Sequence, residues 1–66
     1  MLDRELEALV NRFLGGLPAR DCNVFLRRYW YVEPLEAIAA RYGLKENTVK
    51  TILRRTREKL RVYLEK

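Results

Sequence analysis

Asn47 and Thr51 stand one helical turn apart in the stretch Pro34 to Arg61, PLEAIAARYGLKENTVKTILRRTREKLR, with cations on either side of them. If Val49 marks the centre of a buried side, an advance of about 100° per residue puts Asn47 and Thr51 opposite the core. Lys50, Arg54, Arg57 and Arg61 then line one flank and Arg55 the other. This order suits duplex DNA, where phosphates border the major groove and base edges form its floor. Asn can bond adenine in a bidentate manner, and Thr can meet a thymine methyl or donate to a base acceptor. Glu46, in the first turn, either accepts from a cytosine amino group or complements the helix dipole. Lys45, at the expected N-cap, offers no acceptor and puts positive charge at the positive end of the dipole, a placement that a phosphate would explain. For Arg57 and Arg61, farther from the helix start, a solvated or intramolecular ion-pair role competes with a DNA contact.

Other chemistries find little material. The chain has no histidine and only one cysteine, so it can build neither a zinc site nor a Cys/His nucleophilic pair. No catalytic residue, metal, cofactor or small-molecule substrate is expected, and the protein reads as a non-enzyme. Cys22 lies on the apolar side of its segment, as a small buried thiol would in a reducing cytoplasm. No signal sequence, lipidation motif or apolar run of membrane-spanning length occurs, so no membrane partner is expected. Fourteen Lys and Arg against nine Asp and Glu give a net charge of +5. That balance favours a polyanionic partner. The charge is uneven, with acids crowding the first ten residues and bases crowding Lys45 to Lys66.

Elements that would position these side chains follow from apolar spacing. Leu2, Leu6, Leu9, Val10, Phe13 and Leu14 make a helical stripe with Asp3, Glu5 and Glu7 near its positive end, and Gly15 and Gly16 stop it. Pro18 starts a second helix whose apolar set is Cys22, Phe25, Leu26, Tyr29 and Trp30. Pro34 sits in the first turn of a third, with Leu35, Ile38, Ala39 and Tyr42 on one face. Gly43 breaks it where a positive φ is needed, and Leu44 returns to the core. Val49, Ile52, Leu53, Thr56, Leu60, Tyr63 and Leu64 define the buried face of the last helix. The expectation is one all-α domain over 1–66, with four helices at roughly 2–15, 18–31, 34–42 and 46–64. A helix-turn-helix occupies about 34–57, and its second helix can enter a major groove. Trp30, Tyr31 and Val32, between the second and third helices, either close the core at a corner or form a partner surface.

From Leu17 onward the chain resembles region 4 of the bacterial sigma-70 family, close to the extracytoplasmic-function type. The likeness rests on the LP-x-R opening, the L-E-x-I-A segment, the G-L turn and the T-V-K helix start, in one order and spacing. It implies a promoter-recognition domain that reads the minus-35 element and docks on the flap of the RNA polymerase β subunit, in the cytoplasm at the bacterial nucleoid. By position it implies base reading by Glu46, Asn47 and Thr51, and phosphate contacts by Arg20, Arg28, Lys50 and Arg55, to which the spacing above adds Lys45 and Arg54. Tyr29, Leu60 and Leu64 fall where a flap-facing surface or the core would use them. Lys45 replaces the usual Ser or Thr cap, and Thr56 stands where many relatives have Ala. The aromatic helices that melt the minus-10 element are missing, so this chain alone should not open a promoter.

Two other functions fit the same residues. One is an autonomous helix-turn-helix regulator resembling LuxR-type output domains, a homodimer needing spare apolar surface around Trp30, Tyr31 and Tyr63. The other is an interaction module whose basic helix binds an acidic partner such as an anti-sigma factor.

Overall fold

The computed structural model describes residues 4–65, which form helices α1 (Arg4–Gly15), α2 (Ala19–Tyr29), α3 (Leu35–Tyr42) and α4 (Glu46–Glu65). The architecture is all-α with four helices, and α3 and α4 make the helix-turn-helix. Leu2 and Asp3, expected on the first helix, lie outside the described residues. Among the described residues no helix is long and apolar enough to cross a membrane.

Both proline-started helices begin one residue later than the spacing suggests. Pro18 (φ −54°, ψ 144°) and Pro34 (φ −68°, ψ 154°) occupy the capping position and not the first turn. The Pro34 carbonyl accepts from the amides of Ala37 and Ile38 at 3.1 and 3.2 Å, and the Pro18 carbonyl from Cys22 at 3.0 Å. A ring that fixes φ near −65° serves this position as well as the next. The end of α3 follows the expected chemistry. Gly43 takes φ 65°, ψ 34°, and the Leu44 amide donates back to the Ala39 carbonyl at 2.8 Å. This is the Schellman arrangement, in which the apolar residue after the glycine folds onto the helix it leaves. Leu44 accordingly packs against the core.

Val49, Ile52, Leu53 and Thr56 bury one face of α4, and α4 packs on α1, α2 and α3 alike. Thr56 is a polar residue in this stripe, 2% exposed, and its hydroxyl donates to the Ile52 carbonyl at 2.8 Å. The donor is therefore satisfied and the face behaves as apolar. Ile38 and Ala39 come from α3, and Phe13 and Leu14 from α1, with the Phe13 ring tilted against Tyr63 at 5.5 Å between centroids.

On α2 the expected apolar face is rotated. Val24, absent from the expected set, is completely buried beside Phe25, because α2 turns this edge toward both α3 and α4. Cys22 and Leu26 are only half-buried at the rim. Trp30 and Tyr31 are exposed and do not close the core, since α2 ends at Tyr29 and the chain turns outward. Leu64, near the end of α4, is also exposed, and so is Leu9 in the middle of α1.

Between α2 and α3 the backbone is held by several bonds. Trp30 and Tyr31 both donate to the Leu26 carbonyl, and Glu33 donates to Arg27. The Glu33 carboxylate meets Arg41 of α3 at 3.0 Å and Arg27 of α2 at 3.6 Å. Arg28 donates to the Glu33 carbonyl at 3.1 Å. Glu33 thus ties the end of α2 to the last turn of α3 through two partly buried ion pairs. In the same turn Val32 adopts φ 55°, a left-handed conformation that crowds a β-branched side chain. Its side chain is 75% exposed, so packing offers little compensation. Val32→Gly is expected to raise stability by about 1 kcal/mol, the relief of left-handed strain outweighing the added freedom of the unfolded chain. In a domain of this size the thermal midpoint should rise by about 4–8 °C; a midpoint that falls would mean that the turn needs the valine.

Candidate nucleic-acid interface

The start of α4 carries the polar residues expected to read bases. The Lys45 carbonyl accepts from the Val49 amide at 3.1 Å, which makes Lys45 the N-cap. Its side chain cannot bond the free amides of the first turn. Glu46 and Asn47 are exposed on the next two positions. Thr51 is half-buried, and its hydroxyl donates to the Asn47 carbonyl at 3.0 Å. Of the two contacts expected from Thr51, donation to a base acceptor is therefore closed while this bond stands. Its methyl group and its oxygen lone pairs remain available, suiting a thymine methyl or a base amino group.

Beside this face the helices enclose a concave surface of about 360 Å³, lined by Arg28 and Tyr29 of α2, Leu35 of α3, and Lys50, Leu53, Arg54 and Arg57 of α4. Three of the expected phosphate contacts, Arg28, Lys50 and Arg54, thus meet in one place, and among the described residues no acid lines it. The bond from Arg28 to the Glu33 carbonyl holds the guanidinium in position while leaving other donors of its fork free. Arg55 lies on a separate surface with Glu58, Lys59 and Val62, as expected for the opposite flank. Arg20 is not drawn into the concavity. It stands at the far end of α2, about 12 Å along the axis from Arg28, and meets Asp21 at 3.4 Å.

Among the described residues, the ion pairs within 4 Å involve Arg20, Arg27 and Arg41, and none involves α4. The cations of α4 are thus uncompensated by close internal partners, and the long-range field of the domain favours a polyanion at this face. Arg27 is occupied elsewhere. The Tyr42 hydroxyl, opposed in part by desolvation and aided by Glu33, pushes its guanidinium above the ordinary value, and the guanidinium lies 4.9 Å from the centre of the Tyr31 ring. These contacts fix it as a strut of the α2–α3 turn.

A second concavity is apolar. It measures about 350 Å³ and is lined by Glu7, Val10, Asn11 and Leu14 of α1, by Phe25, Leu26, Tyr29 and Trp30 of α2 and its end, and by Leu60 of α4. The groove exists because α1 and α2 both rest on α4 while their backbones approach one another little. Tyr29 and Leu60 come together here as expected of a shared surface, whereas Leu64 does not line it. Sequence spacing offered Trp30 as one half of an open choice between core corner and partner surface, and missed the contributions of Val10 and Asn11. Only the unclosed gap between α1 and α2 turns the outer rim of the α2 stripe into a groove wall.

A family model described as sigma-70, region 4 matches residues 13–62. The chain belongs to this family. Sigma-70 region 4 is a DNA-binding helix-turn-helix domain of sigma factors, which act in transcription with RNA polymerase, and it is not an enzyme family. No curated protein and no solved structure matches the chain. The family match spans α2, α3 and most of α4 but reaches only the last turn of α1, so most of the α1 wall of the apolar groove lies outside it.

The uncapped start of α4 gives a direct test of how the interface is built. Lys45→Ser adds an acceptor for a free amide and removes an adverse charge, and should raise stability by roughly 0.5–1.5 kcal/mol. DNA affinity should stay level or fall slightly as a cation is lost. Thermal melts and duplex titrations of both proteins measure the two effects, and a lowered midpoint would show that the lysine stabilises the helix start by some other contact.

Proposed function

We propose that this sigma-70 region 4 domain reads the minus-35 promoter element with α4 and docks on the β flap of RNA polymerase with its apolar groove. The single helix-turn-helix domain of residues 1–66, with its DNA-reading part at about 34–57, would work in the bacterial cytoplasm at the nucleoid. Glu46, Asn47 and Thr51 face the base edges. Lys45, Lys50, Arg54 and Arg28 hold the backbone on one side, and Arg55 and Arg20 meet phosphates elsewhere. The observation that carries this reading is the exposed polar start of α4 beside cations with no ion-pair partner within 4 Å among the described residues. Short side chains reach a groove floor only when longer cations can settle on its walls, and the order along α4 meets that requirement.

Docking uses a different part of the molecule. The walls of the apolar groove include Tyr29, Trp30 and Leu60, and Trp30 is 71% exposed. A large aromatic at the mouth of an apolar groove supplies the kind of anchor that dominates protein interfaces. Leu64, exposed beyond Leu60 on α4, would extend this surface toward the C-terminus. The DNA and polymerase faces share only Tyr29, which allows both partners to be bound together, and attachment to polymerase raises the effective concentration of a weak DNA-binding module at the promoter.

Binding-site selection on random duplexes tests the DNA reading, followed by titration of Asn47→Ala on the selected and on unrelated sequences. The variant should lose about 1–3 kcal/mol on the selected site and less on the others. Equal loss on both would remove Asn47 from the bases. For the groove, Trp30→Ala, which lines this concavity and not the cationic one, should weaken capture of a β-flap fragment by roughly 1–2 kcal/mol while leaving the salt dependence of DNA binding intact. Unchanged capture by the variant would move the docking surface away from the groove.

A further inference from the structure

Arg57 is where spacing alone left the choice between solvent, an ion pair and DNA. It has no ion pair within 4 Å among the described residues. It lies about 80° around α4 from Val49, close to the edge of the buried face, and so on the side where α2 approaches. There it lines the same concavity as Arg28, Lys50 and Arg54. Lys50, Arg54 and Arg57 rise about 10 Å along α4, with Arg28 on the facing wall. A single DNA strand carries one phosphate about every 3.4 Å of helix axis, so such a row can reach more than one phosphate of the same strand.

We infer that Arg57 is a phosphate-positioning residue, the far end of a four-cation cleft between α2 and α4 that holds consecutive phosphates of one DNA strand. This rests on the proposed placement of α4 in the major groove and adds an asymmetry to it. One strand lies in a cleft with cations on two helices, whereas the other meets the more scattered Arg55 flank. Tyr29, Leu35 and Leu53 form the apolar part of the cleft, where a charge pair is screened less than on an open surface. Arg57 touches no base in this arrangement, so it contributes to affinity and orientation without changing the sequence preferred.

The test compares the full chain with Arg57→Gln, Lys50→Gln and Arg12→Gln by fluorescence titration of a labelled duplex over a salt series. Arg12 lies exposed on α1, and its variant controls for the loss of one unit of net charge. Arg57→Gln should weaken binding to selected and unrelated duplexes by the same factor. The advantage of the parent over it should shrink about 3.5-fold between 50 and 200 mM salt, the change expected when one phosphate contact is lost. Arg12→Gln should keep the parent slope. A parent-like slope for Arg57→Gln, or equal slopes for Arg57→Gln and Arg12→Gln, would overturn the inference. If Lys50→Gln lowers the slope in those same titrations, the broader DNA placement stands without Arg57. Parent-like slopes for both Lys50→Gln and Arg57→Gln would overturn the placement of this flank on DNA and the inference with it.

Discussion

Burial of Val49, Ile52, Leu53 and Thr56 sets the rotation of α4 about its own axis, and that rotation decides which side chains are offered to a partner. Turning the helix by one residue, about 100°, would bring Lys50 and Arg54 toward the core and expose much of the apolar stripe. Each large aliphatic side chain taken out of the core would cost about 1.5–3 kcal/mol, before the larger cost of burying an unpaired cation. A domain this small has only a few such amounts in reserve, so the alternative rotation is closed. The polar face of Glu46, Asn47 and Thr51 is therefore presented by packing, with no binding partner needed to select it.

The same helix serves as the floor on which the others rest. α2 and α3 both pack on it, and the Glu33 cluster with Arg27 and Arg41 joins them at their shared turn. α1 reaches α4 through Phe13 and Tyr63, and the space left between α1 and α2 becomes the apolar groove. Local stability is given up where the domain would touch its partners. Lys45 starts α4 without a side-chain acceptor, and the strained Val32 lies in the segment that exposes Trp30 and Tyr31. Uncompensated cations on α4 raise the self-repulsion of the fold and its attraction for a polyanion together.

The helices and the α3–α4 turn were legible because they follow from local chemistry. Gly43 in the left-handed region, Leu44 folding back and the stripe through Thr56 all express rules that act within a few residues. Asn47, Lys50 and Arg55 could be sorted around α4 for the same reason. What spacing could not supply was the relation between helices. Val24 became the buried centre of α2 only because two neighbours press on that edge. Trp30, assigned to the same stripe as Phe25, was released by the end of α2 at Tyr29. The convergence of Arg28 with Lys50 and Arg54 depends on how α2 crosses α4, and the hydroxyl bond of Thr51 depends on its rotamer. Neither is encoded in periodicity.

The central claim is that the molecule offers a DNA face and a protein face that meet only at Tyr29. Amide chemical-shift mapping of the labelled chain on addition of a selected duplex tests it most directly. The account predicts perturbations at the start and cationic flank of α4 and at Arg28, with Val10, Leu14 and Leu26 of the apolar groove unmoved. Perturbations centred on the groove, with Asn47, Lys50 and Arg54 unchanged, would contradict it.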